Sequence, residues 1–327
     1  MSVGRRAFLG VLGAAAVARP APIWGQAPAR LGYLSGGRRD TNLANTIDIL
    51  RAALRDRGWR PGENLVIDER WASGDSSRLP RLARELVEQR PDVLSCTGTT
   101  ETRALQAVTS TIPIVFLQVA VDPVSAGFVQ HIARPGRNIT GFMQSPQILW
   151  GKRIELLMEI LGRQPRRLAW LGNPGNTGAA ANWADAQAAA ARVKSEVIRV
   201  EARSAADLEP AFQIIKGRDA LLVQFDFLFA MERHRLADLA AKHRIPAIYE
   251  NRMQTQGGGL MSYGGDLREN YRQGAGYIHR ILNGTPAGEL PVVQASRFEL
   301  VINLKTARGL GLSVPAAFRA RADEIIE

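Results

Sequence analysis

Short apolar runs that stop at small residues, each followed by an amphipathic stretch, recur along this chain from Arg30 onward. RLGYLSGG, NLVIDERWA, PDVLSC, PIVFLQV and NITGF have strand length, and NLANTIDILRAALRDRG and SSRLPRLARELVEQR between them have helical period. A further helix is expected over 100–109. Apolar strands alternating with helices build a parallel sheet covered on both faces. Gly58 is expected to close the first helix.

The same plan then restarts. ILWGKRIELLMEIL is a helix and RRLAWLGNPGN a strand that runs into a glycine turn. EVIRVEA, DALLVQFD, PAIYE and GLMSYG follow as strands, separated by helices over 178–193, AADLEPAFQIIKG and ERHRLADLAAKH. The fold class is therefore α/β, with two doubly wound lobes, and 327 residues suffice for two cores. No Pro-, Gly- or Ser-rich linker separates the halves, so short crossings that act as a hinge must join them. The tail is expected to add one helix, LRENYRQGAGYIHRILNG, and one strand within SRFELVINLKTARGLG.

The first residues do not share this rhythm. A basic start (Arg5, Arg6), an apolar run from Ala7 to Ala18 and a small-residue end at Ala27-Pro28-Ala29 have the layout of a cleaved secretory signal over 1–29. The apolar run is too short to span a bilayer. GRRAFLG is similar to a twin-arginine export signal, from which Gly4 and Gly10 depart. No cysteine lies near the cleavage region, so a lipoprotein anchor is not expected, and the periplasm is the expected location. The net charge is +11, with Arg5, Arg6 and Arg19 inside the leader. The rest is spread without a Lys/Arg block or an interleaved aromatic array, which argues against nucleic acid as a partner.

Ligands of open parallel sheets bind beyond the carboxyl ends of the strands, at switch points in strand order. In the first half those ends carry Ser35, Gly36 and Gly37, then Thr97, Gly98, Thr99 and Thr100, then Gln118 and Asp122. In the second half they carry Asn173, Gly175 and Asn176, then Phe225 and Asp226, Tyr249 and Glu250, and Tyr263 with Asp266. Small donors dominate one set, aromatics and carboxylates the other. A helix starting near Thr100 would offer free N–H groups and a dipole to an anion, with Gly98 allowing close approach. Thr97 or Thr99 capping that helix explains the same residues equally well.

No catalytic set assembles. The glycine turns lack a G-x-G-x-x-G pattern and the lysine of a phosphate loop, and there is no G-x-S-x-G elbow. Four scattered histidines and the single Cys96 give no metal spacing and no intramolecular disulfide, and no cofactor is expected. Asp75 is read as a helix-start residue and Cys96 as a small core hydrophobe. An exported α/β hydrolase would need a nucleophile–base pair that these residues do not suggest.

Residues from about 30 to 327 resemble the solute-binding proteins of ABC importers, in the branch with tryptophan- and phenylalanine-binding members. ASGDSSRLPRLARELVEQRPDVL, TIPIVFLQVAVDPVSAGFVQHIARPGRNITGF, GGGLMSYGGDL and FELVINLKTARGLGLSVP carry the resemblance. It implies a type I periplasmic-binding fold with a three-crossing hinge: one lobe of 30–141 plus 266–289, the other of 142–265 plus 290–327. It implies an ABC permease as partner and a ligand carboxylate held by the stretch Ser95–Thr100 with Gln118 and Asp122 nearby; a monomer is expected. QFDFLF departs from the small polar residues the family shows there, so Phe225 and Phe227 would make that wall aromatic, with Asp226 or Glu250 open to an ammonium. The expected function is capture of an aromatic or branched amino acid, or an aromatic acid, for an importer. A receptor of the same fold feeding a sensor is the alternative, whereas a sugar-responsive repressor lacks its DNA-binding helices here.

Overall fold

The computed structural model describes residues 27–39, 44–144, 146–295 and 297–327. The expected leader lies outside the described residues up to position 26. The first lobe carries β1 (Ala29–Ser35), α1 (Ala44–Arg55), β2 (Leu65–Trp71), α2 (Leu79–Glu88), β3 (Val93–Thr97), α3 (Thr99–Gln106), β4 (Ile114–Val119) and β5 (Ile139–Met143). The second carries α4 (Pro146–Leu161), β6 (Arg167–Gly172), α5 (Ala179–Arg192), β7 (Glu196–Glu201), α6 (Leu208–Ile215), β8 (Ala220–Val223), α7 (Phe227–Met231), α8 (Arg233–Lys242), β9 (Ala247–Tyr249), α9 (Arg252–Gln256) and β10 (Met261–Gly265). The tail forms α10 (Leu267–Leu282), β11 (Val293–Gln294), β12 (Phe298–Asn303), α11 (Leu304–Gly309), α12 (Ala316–Arg319) and β13 (Glu324–Ile326).

Strand order shows why the two halves read alike. The first sheet runs β11-β5-β4-β3-β1-β2 and the second β13-β12-β10-β9-β8-β6-β7. All pairings are parallel except β10 with β12. Each lobe reverses its order once, between β1 and β3 in the first and between β6 and β8 in the second, and those reversals are where crevices form. Both faces of each sheet are covered. Phe116 and Phe128 with Cys96 fill one side of the first sheet, and Tyr33 with Tyr271 the other. In the second, Trp150 and Trp170 fill one side, Phe212 and Tyr249 the other. Cys96 is the core hydrophobe expected of it, its thiol pushed far up by burial.

The tail is richer than one helix and one strand. α10 packs on α1 and β4 of the first lobe, and β11 pairs with β5, Val293 opposite Phe142. The return to the second lobe therefore follows Gln294 instead of residue 289, because the first sheet keeps the chain for one more edge strand. β12 then pairs antiparallel with β10, Met261 opposite Ile302. β11 and β13 are too short to leave an alternation in the sequence. α7 hides in the apolar run after β8; Asp226 starts it by accepting a hydrogen bond from Leu228 N.

The chain passes between lobes after Met143, at Gly265–Asp266 and between Ala295 and Phe298, and the three passages lie together. Ala295 N donates to Met143 O at 2.8 Å, and Asp266 N to Arg297 O at 3.3 Å. Arg268 bridges Asp266 (Nε to Oδ1, 3.0 Å) and Glu299 (3.1 Å), and Arg252 reaches the same Glu299 oxygen at 2.9 Å.

Candidate functional site

The two strand-order reversals face each other, and a cavity of about 30 Å³ remains between them. Gly36 and Gly98, after β1 and β3, supply one wall, and Asn176 with Phe225 and Asp226, after β6 and β8, the other. Both glycines are required by close approach. A Cβ on Gly36 would fall 2.3 Å from Glu101 Oε1 and 2.4 Å from Phe227 Cδ2. Gly98, at φ 110°, holds a backbone that side chains avoid, and its Cβ would fall 2.3 Å from Glu101 Oε2.

Threonines do not cap α3. Gly98 is the N-cap residue, with no side-chain hydrogen bond to the helix start. Thr97 turns away to the Tyr271 hydroxyl at 2.5 Å, and Tyr271 meets the Tyr33 hydroxyl at 2.7 Å. Thr99 Oγ1 accepts from Ala120 N at 3.4 Å. Thr100 reaches the other lobe: Thr177 N donates to its Oγ1 at 3.0 Å. Asn182 Nδ2 also crosses, to Ala120 O at 3.1 Å, so the lobes are closed on each other.

The carboxyl of Glu101 fills the place at the start of α3. It curls back to its own backbone N–H and to that of Gly36. Burial, opposed by those two donors and reinforced by the charge of Asp226, pushes its pKa up to about 8. Asp226 is buried too and its pKa is raised by desolvation, although three donors hold it. Asn173 Nδ2 and Leu228 N bond Oδ1 at 3.0 and 2.9 Å, and Asn176 Nδ2 bonds Oδ2 at 3.0 Å. Phe225 and Phe227 meet edge to face at 5.5 Å between ring centres.

Of the residues expected at the site, the cavity brings together Gly36, Gly98, Thr99, Thr100, Phe225 and Asp226, with Asn173 directly behind. Others are placed elsewhere. Ser35 is buried and accepts from Gly37 N at 3.1 Å. Thr97 is committed to Tyr271. Gln118 is buried, with Oε1 unpaired, and only its carbonyl reaches the site loop by accepting from Gly98 N at 2.8 Å. Asp122 caps its own turn through Ser125 N at 2.6 Å and lines a neighbouring groove of about 360 Å³, which shares Thr99 with the cavity, together with Thr177 and Asp185.

Tyr249 does not line the cavity: its side chain packs in the core with Phe212 and Leu236, because strand parity turns it inward. Glu250 is not open to an ammonium. It pairs with the fully buried Arg153 at 3.3 Å and accepts from Phe225 N at 2.9 Å. Tyr263 lies against Phe298, 5.9 Å between ring centres, beside the passages between lobes. Glu101 was absent from the expected set. The signal for it was position, since an acid three residues after an N-cap reaches back to free backbone N–H groups.

A protein-family description, ABC transporter substrate binding protein, matches residues 40–326. A tyrosine-binding protein of Clostridioides difficile is 26% identical over 262 residues, covering 80% of this chain and 74% of its own length. Among solved structures, a conserved domain protein from Vibrio cholerae superposes with TM-score 0.84 at 30% identity, covering 91% of this chain and 99% of that one. A Streptococcus pneumonia ABC domain in complex with L-Trp superposes with TM-score 0.81 at 20% identity, covering 92% and 100%.

Proposed function

The chain belongs to the ABC transporter substrate-binding protein family, and on that premise we propose that it captures an aromatic amino acid in the cleft between its lobes and delivers it to an inner-membrane permease. The observation that carries this reading is the meeting of both strand-order reversals at one cavity, with the start of α3, where the Glu101 carboxyl now sits, on one side and Phe225 and Phe227 on the other. The Glu101 carboxyl turns aside from the start of α3, and the N–H groups there, with the Thr99 and Thr100 hydroxyls, receive the ligand's carboxylate. The phenylalanine pair receives its ring. The names of the relatives, a tyrosine-binding protein and a tryptophan complex, support the same ligand class.

The present cavity of about 30 Å³ holds little more than a water or two. An aromatic amino acid therefore enters by rotation about the passages and by displacement of the Phe227 ring, which now lies on Gly36. Closure over the ligand creates the surface that the permease recognises, and the ligand drives it only by binding the closed form better than the open one. The leader places the protein in the periplasm, where it acts as a monomer without a cofactor. A thermal-shift screen of the refolded protein against amino acids, aromatic acids, dicarboxylates and sugars tests the reading. At a hundred times its dissociation constant a true ligand adds about 2.7 kcal/mol. A shift with sugars alone sinks it.

A further inference from the structure

The second lobe gathers an uncompensated basic pole at the end of its sheet opposite the cleft, and we propose that this pole is a docking surface for an anionic lipid bilayer. The parallel strands β6, β7, β8 and β9 all begin at that end, so the loops 162–167, 192–196, 216–219 and 243–246 meet there. Hydrogen bonds stitch them together: Ser195 Oγ donates to Pro165 O at 2.5 Å, Glu196 N to Arg166 O at 2.8 Å, Asp219 N to Arg167 O at 2.7 Å and Leu221 N to Pro246 O at 2.9 Å. Arg166, Arg167, Arg192, Lys194, Lys216 and Arg244 stand exposed on these loops. Among the described residues none of the six has an ion-pair partner. The two carboxylates of the loops are already taken, Asp219 by Arg163 at 3.2 Å and by two backbone N–H groups, Glu196 by Arg218 at 3.0 Å.

No Lys/Arg block marks this pole in the sequence, because only the parallel sheet brings the four loops side by side. The matching loops of the first lobe, before β2 and β3, set Arg57, Arg60 and Arg90 against Asp56, Glu63 and Asp92, so no such field builds there. A second feature points to lipid. Ile214, in the last turn of α6 and two positions before Lys216, is 60% exposed, more than any other large apolar side chain among the described residues. An apolar side chain among cations suits a bilayer interface, where headgroups take the charges and the acyl boundary takes the isoleucine. The four loops hold no Phe, Tyr or Trp on which a base could stack, so nucleic acid fits them less well. A flat anionic surface needs no pocket, since each cation near it adds its own attraction. The cleft lies at the other end of the same strands, so a molecule resting on this pole keeps its cleft free. The proposal is independent of which ligand the cleft takes.

Flotation of the whole protein with vesicles of phosphatidylglycerol and phosphatidylcholine, and with vesicles of phosphatidylcholine alone, tests this. We expect binding to the anionic vesicles at ~0.05 M salt, none to phosphatidylcholine alone, and release at ~0.5 M salt as screening shortens the reach of the charges. Arg166→Gln combined with Arg192→Gln and Lys216→Gln should weaken binding at least ~10-fold. Ile214→Ser should weaken it by ~3-fold. The same charge removed from exposed positions of the first lobe, as Arg55→Gln with Arg84→Gln and Arg134→Gln, should change it less than ~2-fold. All variants share the first 29 residues of the wild type, so the arginines of the leader cancel in the comparison. Equal losses from the two triple variants would assign the binding to net charge and overturn the pole. Binding to poly-L-glutamate with none to the anionic vesicles would assign the pole to an acidic protein segment and overturn the lipid surface, as would binding to neither.

Discussion

Thr177 N donates to Thr100 Oγ1 across the cleft at 3.0 Å, joining the first turn of α3 in one lobe to the loop before α5 in the other. The bond joins residues of the two lobes, so it contributes to their closure and not to the fold of either lobe. Thr100→Val keeps the shape and removes the acceptor. A neutral bond of this kind contributes about 0.5–1.5 kcal/mol. We expect the closed fraction, read by small-angle X-ray scattering, to fall while the unfolding midpoint in urea stays unchanged. A drop in the midpoint with no change in scattering would place Thr100 in the fold of its own lobe.

Arg153 is fully buried on α4 and ties the hinge to the site. Its Nε donates to Tyr263 O at 2.9 Å, beside the second passage, and its Nη2 pairs with Glu250 at 3.3 Å. Glu250 in turn accepts from Phe225 N, and the Arg153 guanidinium lies 4.5 Å from the centre of the Trp150 ring. Removing one member of a buried pair leaves the other charged and unpaired, at a cost of about 3–5 kcal/mol. Arg153→Met is expected to lose stability on that scale in urea unfolding, and Arg153→Met with Glu250→Gln to regain most of it. If the double variant is no more stable than the single one, the pair is not the source of the loss.

The strand ends were legible because rhythm alone locates them, and Gly36, Gly98, Thr99, Thr100, Phe225 and Asp226 follow from that rhythm. Side-chain direction was harder to read. Tyr249 and Tyr263 stand at strand ends but point into a core and onto Phe298, which depends on strand parity and on the partner sheet. Glu250 and Arg153 are 97 positions apart and meet only through the tertiary fold. Glu101 carries no mark in the sequence, because an acid in a first helical turn is ordinary, and only the apposition of Asp226 makes it unusual. The short elements of the tail, β11 and β13, exist through their pairing and carry no pattern of their own.

Tyr271 on α10 holds Thr97 and Tyr33 by their hydroxyls, all three buried, directly beneath the loop that carries Gly98. Tyr271→Phe takes one partner from each of two buried hydroxyls, at a cost of about 0.5–1.5 kcal/mol for each bond lost. Adding Tyr33→Phe removes one of those hydroxyls, so the double variant should lose less than the sum of the two singles. Urea unfolding of the four proteins in the cycle decides this. Strict additivity would show that the three hydroxyls do not act as a unit.

Glu101 also makes stability depend on pH. Its ordinary pKa of 4.5, which the unfolded chain restores, rises to about 8 in the folded protein. Between those values the folded state holds a proton that the unfolded state has released, so stability falls as pH rises through that window and levels off above it. Asp226 is shifted in the same direction by the same burial and adds to the fall at its lower end. Integrated over the window, the Glu101 contribution is at most about 5 kcal/mol, since each step of one in pKa carries about 1.4 kcal/mol. Glu101→Gln cannot ionise and should flatten this decline, becoming more stable than the wild type above pH ~8 and no more stable below pH ~5. Urea unfolding of both proteins across that range reads the difference, and parallel pH profiles would remove Glu101 as its origin.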